Sequence, residues 1–274
     1  MTFAHYYWLS LALYITAGVF FLAGLVFVKK DAGRAGSVLA ATGLLMHTVS
    51  LGQRWLQTGH GPYVSTYEIL SSNTWIVVLF FLLLQARLPR LRNLGAVVMP
   101  LAFLMMGFAL VGSTEARTLS PTLLSGWLVV HIIFAKLTVA ALIVAVSLSV
   151  VYLLRATGRE VKKILRYELP RGELLLDYAY RFVAFGFVTM TIMIVTGAIW
   201  ADTSWGSYWA WRPTETWSLG VWLAYGVFLH GRVTFNWSGR VVSWYVILAF
   251  LFSILAFFVL PFLVKGIHSQ YMVG

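Results

Sequence analysis

The stretch WGSYWAWRPTETW, residues 205–217, sets four tryptophans, a tyrosine, an arginine and a glutamate within thirteen positions. Single tryptophans and tyrosines gather at membrane interfaces as an anchoring belt. A cluster is different: Trp205, Tyr208, Trp209 and Trp211 cover several faces of one short turn or helix. Such a surface suits a large, flat, apolar ligand held by stacking and burial. A porphyrin has that shape. It also carries two carboxylates, which Arg212 or Arg54 can meet with charged hydrogen bonds. Arg212 lies three residues before Glu215, a spacing that allows an ion pair along a helix. The plain alternative for Arg212 is an interfacial charge reaching back to water.

The second chemistry is imidazole. The chain has six histidines, at positions 5, 47, 60, 131, 230 and 268. Each alone reads as readily as a hydrogen-bonded polar residue, but ionisable groups within a membrane are functional candidates by default. Haem iron takes axial imidazole. His131 and His268 are expected at one membrane surface, on opposite faces of a cavity floored by the tryptophans. His230 is expected at the other surface, beside Arg232, as an inner haem site. His47 is a reserve ligand at a different depth, and His60 sits in a turn marked by Gly59, Gly61 and Pro62. The chain has no cysteine, so redox chemistry must be carried by a cofactor or a partner.

The elements that hold these residues are membrane helices. Of 274 residues, 60% are apolar and only 11% charged, against about 25% charged in soluble domains. Stretches near 5–28, 36–52, 74–86, 94–112, 124–154, 182–200, 217–230 and 241–264 are almost free of charge. Several exceed the ~20 residues a spanning helix needs; the shorter ones reach it with their flanking Trp, Tyr and polar residues. The expected fold is an all-α polytopic membrane protein with eight transmembrane helices. It forms one integral domain over 1–274, with an external tryptophan-rich segment at 200–217. Fourteen of the 20 Lys and Arg residues fall in the loops after helices 1, 3, 5 and 7. Positive residues stay in the cytoplasm, so both termini are expected on the outer, periplasmic side. The net charge of +11 is scattered over four loops and reads as topology, not as a nucleic-acid surface. The N-terminal segment lacks the basic start and small-residue cleavage site of a signal peptide.

These segments resemble a known family. WGSYWAWRPTETW is similar to the tryptophan-rich WWD signature of haem-handling proteins, and its continuation ETWSLGVWLAYGVFLHGR resembles the CcsA/ResC family, the membrane subunit of system II cytochrome c synthase. RWLQTGHGPYVSTYEIL, SGWLVVH, LDYAYRFVAFGFVTMTIMIVTGAIWA and GIHSQY resemble further family segments in the same order, over roughly residues 40–274. The resemblance implies haem b as cofactor. It implies axial ligation by His131 and His268, and contacts from Trp205, Tyr208, Trp209 and Trp211. His230 is then the intramembrane ligand that receives haem first. Implied partners are a ResB/CcsB-like membrane subunit and an apocytochrome c bearing CxxCH, and the implied location is the bacterial cytoplasmic membrane or a thylakoid-type equivalent. The chain departs from the family where an acidic residue usually follows the W-x-W, at Arg212. It departs again at Ser65–Thr66, where an asparagine usually precedes the Tyr-Glu pair. Two other functions compete: a haem-b electron-transfer subunit of a quinol-oxidising complex, and a structural subunit whose histidines only hydrogen-bond.

Overall fold

The computed structural model describes residues 2–27, 29–115, 119–157 and 170–259. Among them the chain forms eight α-helices and no strand. These are α1 (Phe3–Val26), α2 (Lys30–Thr58), α3 (Thr66–Arg87), α4 (Gly95–Ala109), α5 (Gly126–Thr157), α6 (Gly172–Trp205), α7 (Pro213–Thr234) and α8 (Gly239–Ile254). A 3₁₀ turn over Pro89–Leu94 leads into α4, and a π-helical turn over Leu255–Val259 extends α8. With those turns counted in, seven helices are long and apolar enough to cross a membrane. The helix outside that set is α7. Its 22 residues give it spanning length, but Glu215, His230 and Arg232 dilute its apolar content.

Two apolar clusters meet on α5. Ile143, Val144 and Leu148 pack with α1, α3 and α4. Leu142, Ala145 and Val146, on the opposite face, pack with α6, α7 and α8. In a bilayer such helices are held by van der Waals fit and interhelical hydrogen bonds, since lipid is as apolar as leucine. The hydrogen bonds are visible: Trp222 Nε1 donates to Thr191 Oγ1 at 2.8 Å, tying α7 to α6, and Tyr245 Oη donates to the Ala224 carbonyl at 3.0 Å, tying α8 to α7.

His47 belongs to this framework. It is fully buried. Its Nδ1 is hydrogen-bonded to Tyr14 Oη at 3.3 Å and its Nε2 to Ser71 Oγ at 2.9 Å. Both ring nitrogens are engaged in joining α1, α2 and α3, so the reserve ligand is a structural residue.

Arg54 is likewise withdrawn from ligand binding. At the end of α2 its Nε donates to Glu68 Oε1 at 3.0 Å, and its two other nitrogens donate to the carbonyls of Thr114 and Glu115 at 2.5 and 2.9 Å. Glu68 is the N3 residue of α3, and its other oxygen accepts from the backbone N–H groups of Val64 and Ser65. Ser65 Oγ accepts from the Glu68 N–H in return, which completes a capping box. One buried pair thus fastens the α2–α3 turn to the chain beyond α4. With a carboxylate and two carbonyls on its three nitrogens, and the rings of Phe3 and Tyr67 centred 5.4 and 5.9 Å from its guanidinium carbon, this arginine is engaged within the protein.

Candidate haem cavity

The site lies at the bundle end where α5 begins and α6 ends. His131 stands on the second turn of α5. Its Nδ1 is 2.7 Å from the Met193 carbonyl oxygen of α6. A carbonyl only accepts, so Nδ1 carries the proton. This fixes the ring and leaves the lone pair of Nε2 free, the arrangement seen in histidines that are oriented toward a metal. The space for the ring comes from Gly197 on α6, where a Cβ would lie 2.7 Å from Nδ1. Trp200, one turn further on, is tilted against the imidazole with ring centres 6.3 Å apart. Its Nε1 donates to the Thr122 carbonyl at 2.8 Å, which locks the indole.

The tryptophan-rich segment follows directly. Trp205 ends α6 and meets Trp200 edge-on at 4.9 Å. Gly206 then turns the chain at φ 71°, a left-handed conformation that glycine adopts without penalty. Pro213 restarts the chain as the first residue of α7, where its missing N–H costs nothing. Glu215 gathers the loop between them. Its Oε2 accepts from the N–H groups of Ala210 and Arg212 at 2.8 and 3.1 Å, and its Oε1 lies 3.4 Å from Arg212 Nη1. The Arg212 guanidinium also sits 5.0 Å from the centre of the Trp205 ring, within cation–π range. Arg212 occupies the N-cap of α7. It has only donors to offer there, whereas an acidic residue would accept from the first-turn N–H groups.

A cavity of about 590 Å³ opens between these parts, within the usual range for small-molecule and cofactor sites. His131, Trp200, Trp205, Tyr208, Trp209, Arg212 and Glu215 line it. The remaining wall is mostly apolar, from α3, α4, α5 and the end of α8. Tyr208 is at the rim, 59% exposed, and its hydrogen bond to Asp202 raises its pKa above the ordinary tyrosine value.

Of the residues singled out in the sequence, the cavity brings together His131, Trp205, Tyr208, Trp209, Arg212 and Glu215. Trp211 is not among the lining residues. Its backbone is held at φ 54°, which costs a bulky residue about 1–2 kcal/mol, and its ring points outward, 69% exposed, edge-on to Trp209 at 5.8 Å. His230 is exposed near the far end of α7, about 26 Å along the helix axis from Pro213, with Phe235 against its ring. His268 lies outside the described residues. Three further cavity residues, Gly197, Trp200 and Lys136, were not among those singled out in the sequence.

Over residues 63–268 the chain matches the family described as cytochrome C assembly protein. The CcsA cytochrome c biogenesis protein of Guillardia theta is 30% identical, with 96% of this chain and 90% of that protein aligned. The CcsA protein of Synechococcus sp. (strain CC9311) is 32% identical over 85% of this chain and 87% of its own length. Among solved structures, the cytochrome c haem lyase CcmF superimposes with a TM-score of 0.69 at 20% identity. That comparison covers 93% of this chain but only 46% of CcmF, and it speaks to the fold alone. The chain belongs to the cytochrome c assembly protein family, among the CcsA proteins, and cytochrome c biogenesis is its function.

Proposed function

We propose that the chain presents haem b at the cavity for attachment to an apocytochrome c. The observation that carries this reading is the Nδ1–H bond from His131 to the Met193 carbonyl, which fixes an imidazole that lines a cavity bounded by Trp205 and Trp209. Among the described residues no three His, Asp or Glu side chains gather to hold a bare metal ion. A macrocycle brings its own ring nitrogens to a metal held by a single imidazole such as His131. His268 would be the second residue to hold the haem, exchangeable for the histidine of CxxCH. When bound, haem supplies vinyl groups across which two cysteine S–H bonds add to give thioethers. The chain's own part is to fix the imidazole, stack the ring on Trp205 and Trp209, and keep the loop in place through Arg212 and Glu215. A catalytic nucleophile is not needed for that role.

The topology we propose counts α7 as an eighth span, with both termini and the 200–217 segment on the outer side of the bacterial cytoplasmic membrane or a thylakoid-type membrane. The whole chain, 1–274, is then one integral membrane domain. His230, exposed to the surroundings of the bundle, is the proposed entry ligand, completed by a histidine from a ResB/CcsB-like subunit. Loss of that ligand should starve the external site. We therefore expect His230→Ala, co-expressed with the partner, to reduce holocytochrome c formation, with haem staining of the cytochrome as the measurement. Full haem content and full maturation in that variant would remove the inner site from the scheme. The quinol-oxidising alternative is not favoured by relatives that are cytochrome c biogenesis proteins.

A further inference from the structure

Lys136 lies one and a half turns beyond His131 on α5, ten residues from the start of the helix, about 15 Å along its axis. Its Nζ donates to Ser72 Oγ at 2.5 Å and to Asn73 Oδ1 at 3.1 Å, both on α3. Both acceptors are neutral. An ammonium has three donors, and the third has no partner among the described residues. Lys136 and Asn73 both line the cavity. A lysine inside an apolar helix is expensive unless its charge is answered.

No carboxylate among the described residues answers it. Glu68 is taken by Arg54, Glu215 by Arg212, Asp31 by Arg34 and Asp177 by Arg181. Glu215 is the acidic residue on the cavity lining, and it already balances Arg212 at the rim. The charge that remains uncompensated in the cavity is the deep one.

We propose that Lys136 is the carboxylate anchor of this cavity, receiving the propionate edge of the porphyrin on its inner side. The inference rests on the reading of the cavity as a porphyrin site and adds an orientation to it. His131 and Lys136 are five residues apart, about 7.5 Å of rise and about 140° around the helix, and both line the cavity, so one ring between them can meet its metal ligand and its carboxylate partner. With the propionates turned inward, the opposite, vinyl-bearing edge faces the loop at 206–212, where a cytochrome chain can approach. Arg212 then acts on the rings and the loop, and the carboxylates go elsewhere.

The test uses the detergent-purified full chain and iron-free protoporphyrin IX, so that axial ligation plays no part. Binding of the free acid is compared with binding of its dimethyl ester, by fluorescence titration. The wild type should prefer the free acid by about tenfold or more, the value of a charged hydrogen bond. Lys136→Met should bring the preference close to unity. Lys136→Gln, which keeps hydrogen-bonding capacity toward Ser72 and Asn73, should do the same, and Lys136→Arg should retain the preference. A merely structural lysine would change both affinities together and leave their ratio alone. Persistence of the preference in the Met and Gln variants overturns the inference, as does its loss in Arg212→Ala but not in Lys136→Met. A wild type that binds neither porphyrin overturns the haem reading itself and this inference with it.

Discussion

His131→Ala is expected to lower haem retention by at least about 100-fold. Disturbing groups that merely orient a metal ligand costs 10–100-fold, and this change removes the ligand. The purified variant should lose the Soret band and most of its pyridine haemochrome, while its helical content and elution volume stay those of the wild type. Added imidazole should restore part of the Soret band, because alanine leaves the ligand's space beside Gly197 and Trp200 empty. A variant that keeps its full haem with no response to imidazole would take His131 out of the site.

The second large effect is on stability. Arg54→Met should destabilise the protein by about 3–5 kcal/mol, the usual cost of breaking a buried ion pair from one side. Arg54 and Glu68 are 4% and 2% exposed at their side chains. Removing the guanidinium leaves the Glu68 carboxylate without its countercharge and strips the Thr114 and Glu115 carbonyls of their donors. Thermal unfolding in detergent measures the loss. Early proteolysis should fall at the α2–α3 turn and near residues 113–115, the two segments the pair fastens together. A haem-bound sample of the variant should still show the wild-type Soret position, because Arg54 is not on the cavity. A shifted Soret with unchanged melting would instead place Arg54 at the ligand.

The helical architecture was readable because apolar runs in a membrane chain have few other outcomes. The ends were less readable. α6 was expected from about 182 and begins at Gly172, since its first turns carry exposed charges, including the Arg181–Asp177 pair one turn apart at 2.9 Å. Charge-free runs mark the part of a helix that sits in lipid and miss the part that emerges from it. α7 shows the reverse: it is a full-length helix whose apolar character is diluted by the residues that serve the site and its far end.

The site was partly legible for a similar reason. A cluster of large rings beside an arginine is unusual enough in sequence to stand out. His131 was one of six histidines, and what fixes its ring is the Met193 carbonyl 62 residues away. Arg54 looked as suitable for a carboxylate ligand as Arg212 did. What excludes it is a pair of carbonyls 60 and 61 residues downstream. Lys136 was visible as a lone charge in an apolar run, but its partners on α3 and its place beside the cavity are products of packing. Trp200 and Gly197 likewise take their roles from contacts across helices, for which local spacing carries no pattern.

The most direct measurement is a cryo-electron microscopy structure of the purified full chain loaded with haem. The account predicts iron on Nε2 of His131, with Nδ1 still bonded to the Met193 carbonyl, the macrocycle against Trp205 and Trp209, and its propionates at Lys136. Haem bound elsewhere, or this cavity filled by lipid with His131 uncoordinated in a haem-saturated sample, would contradict it.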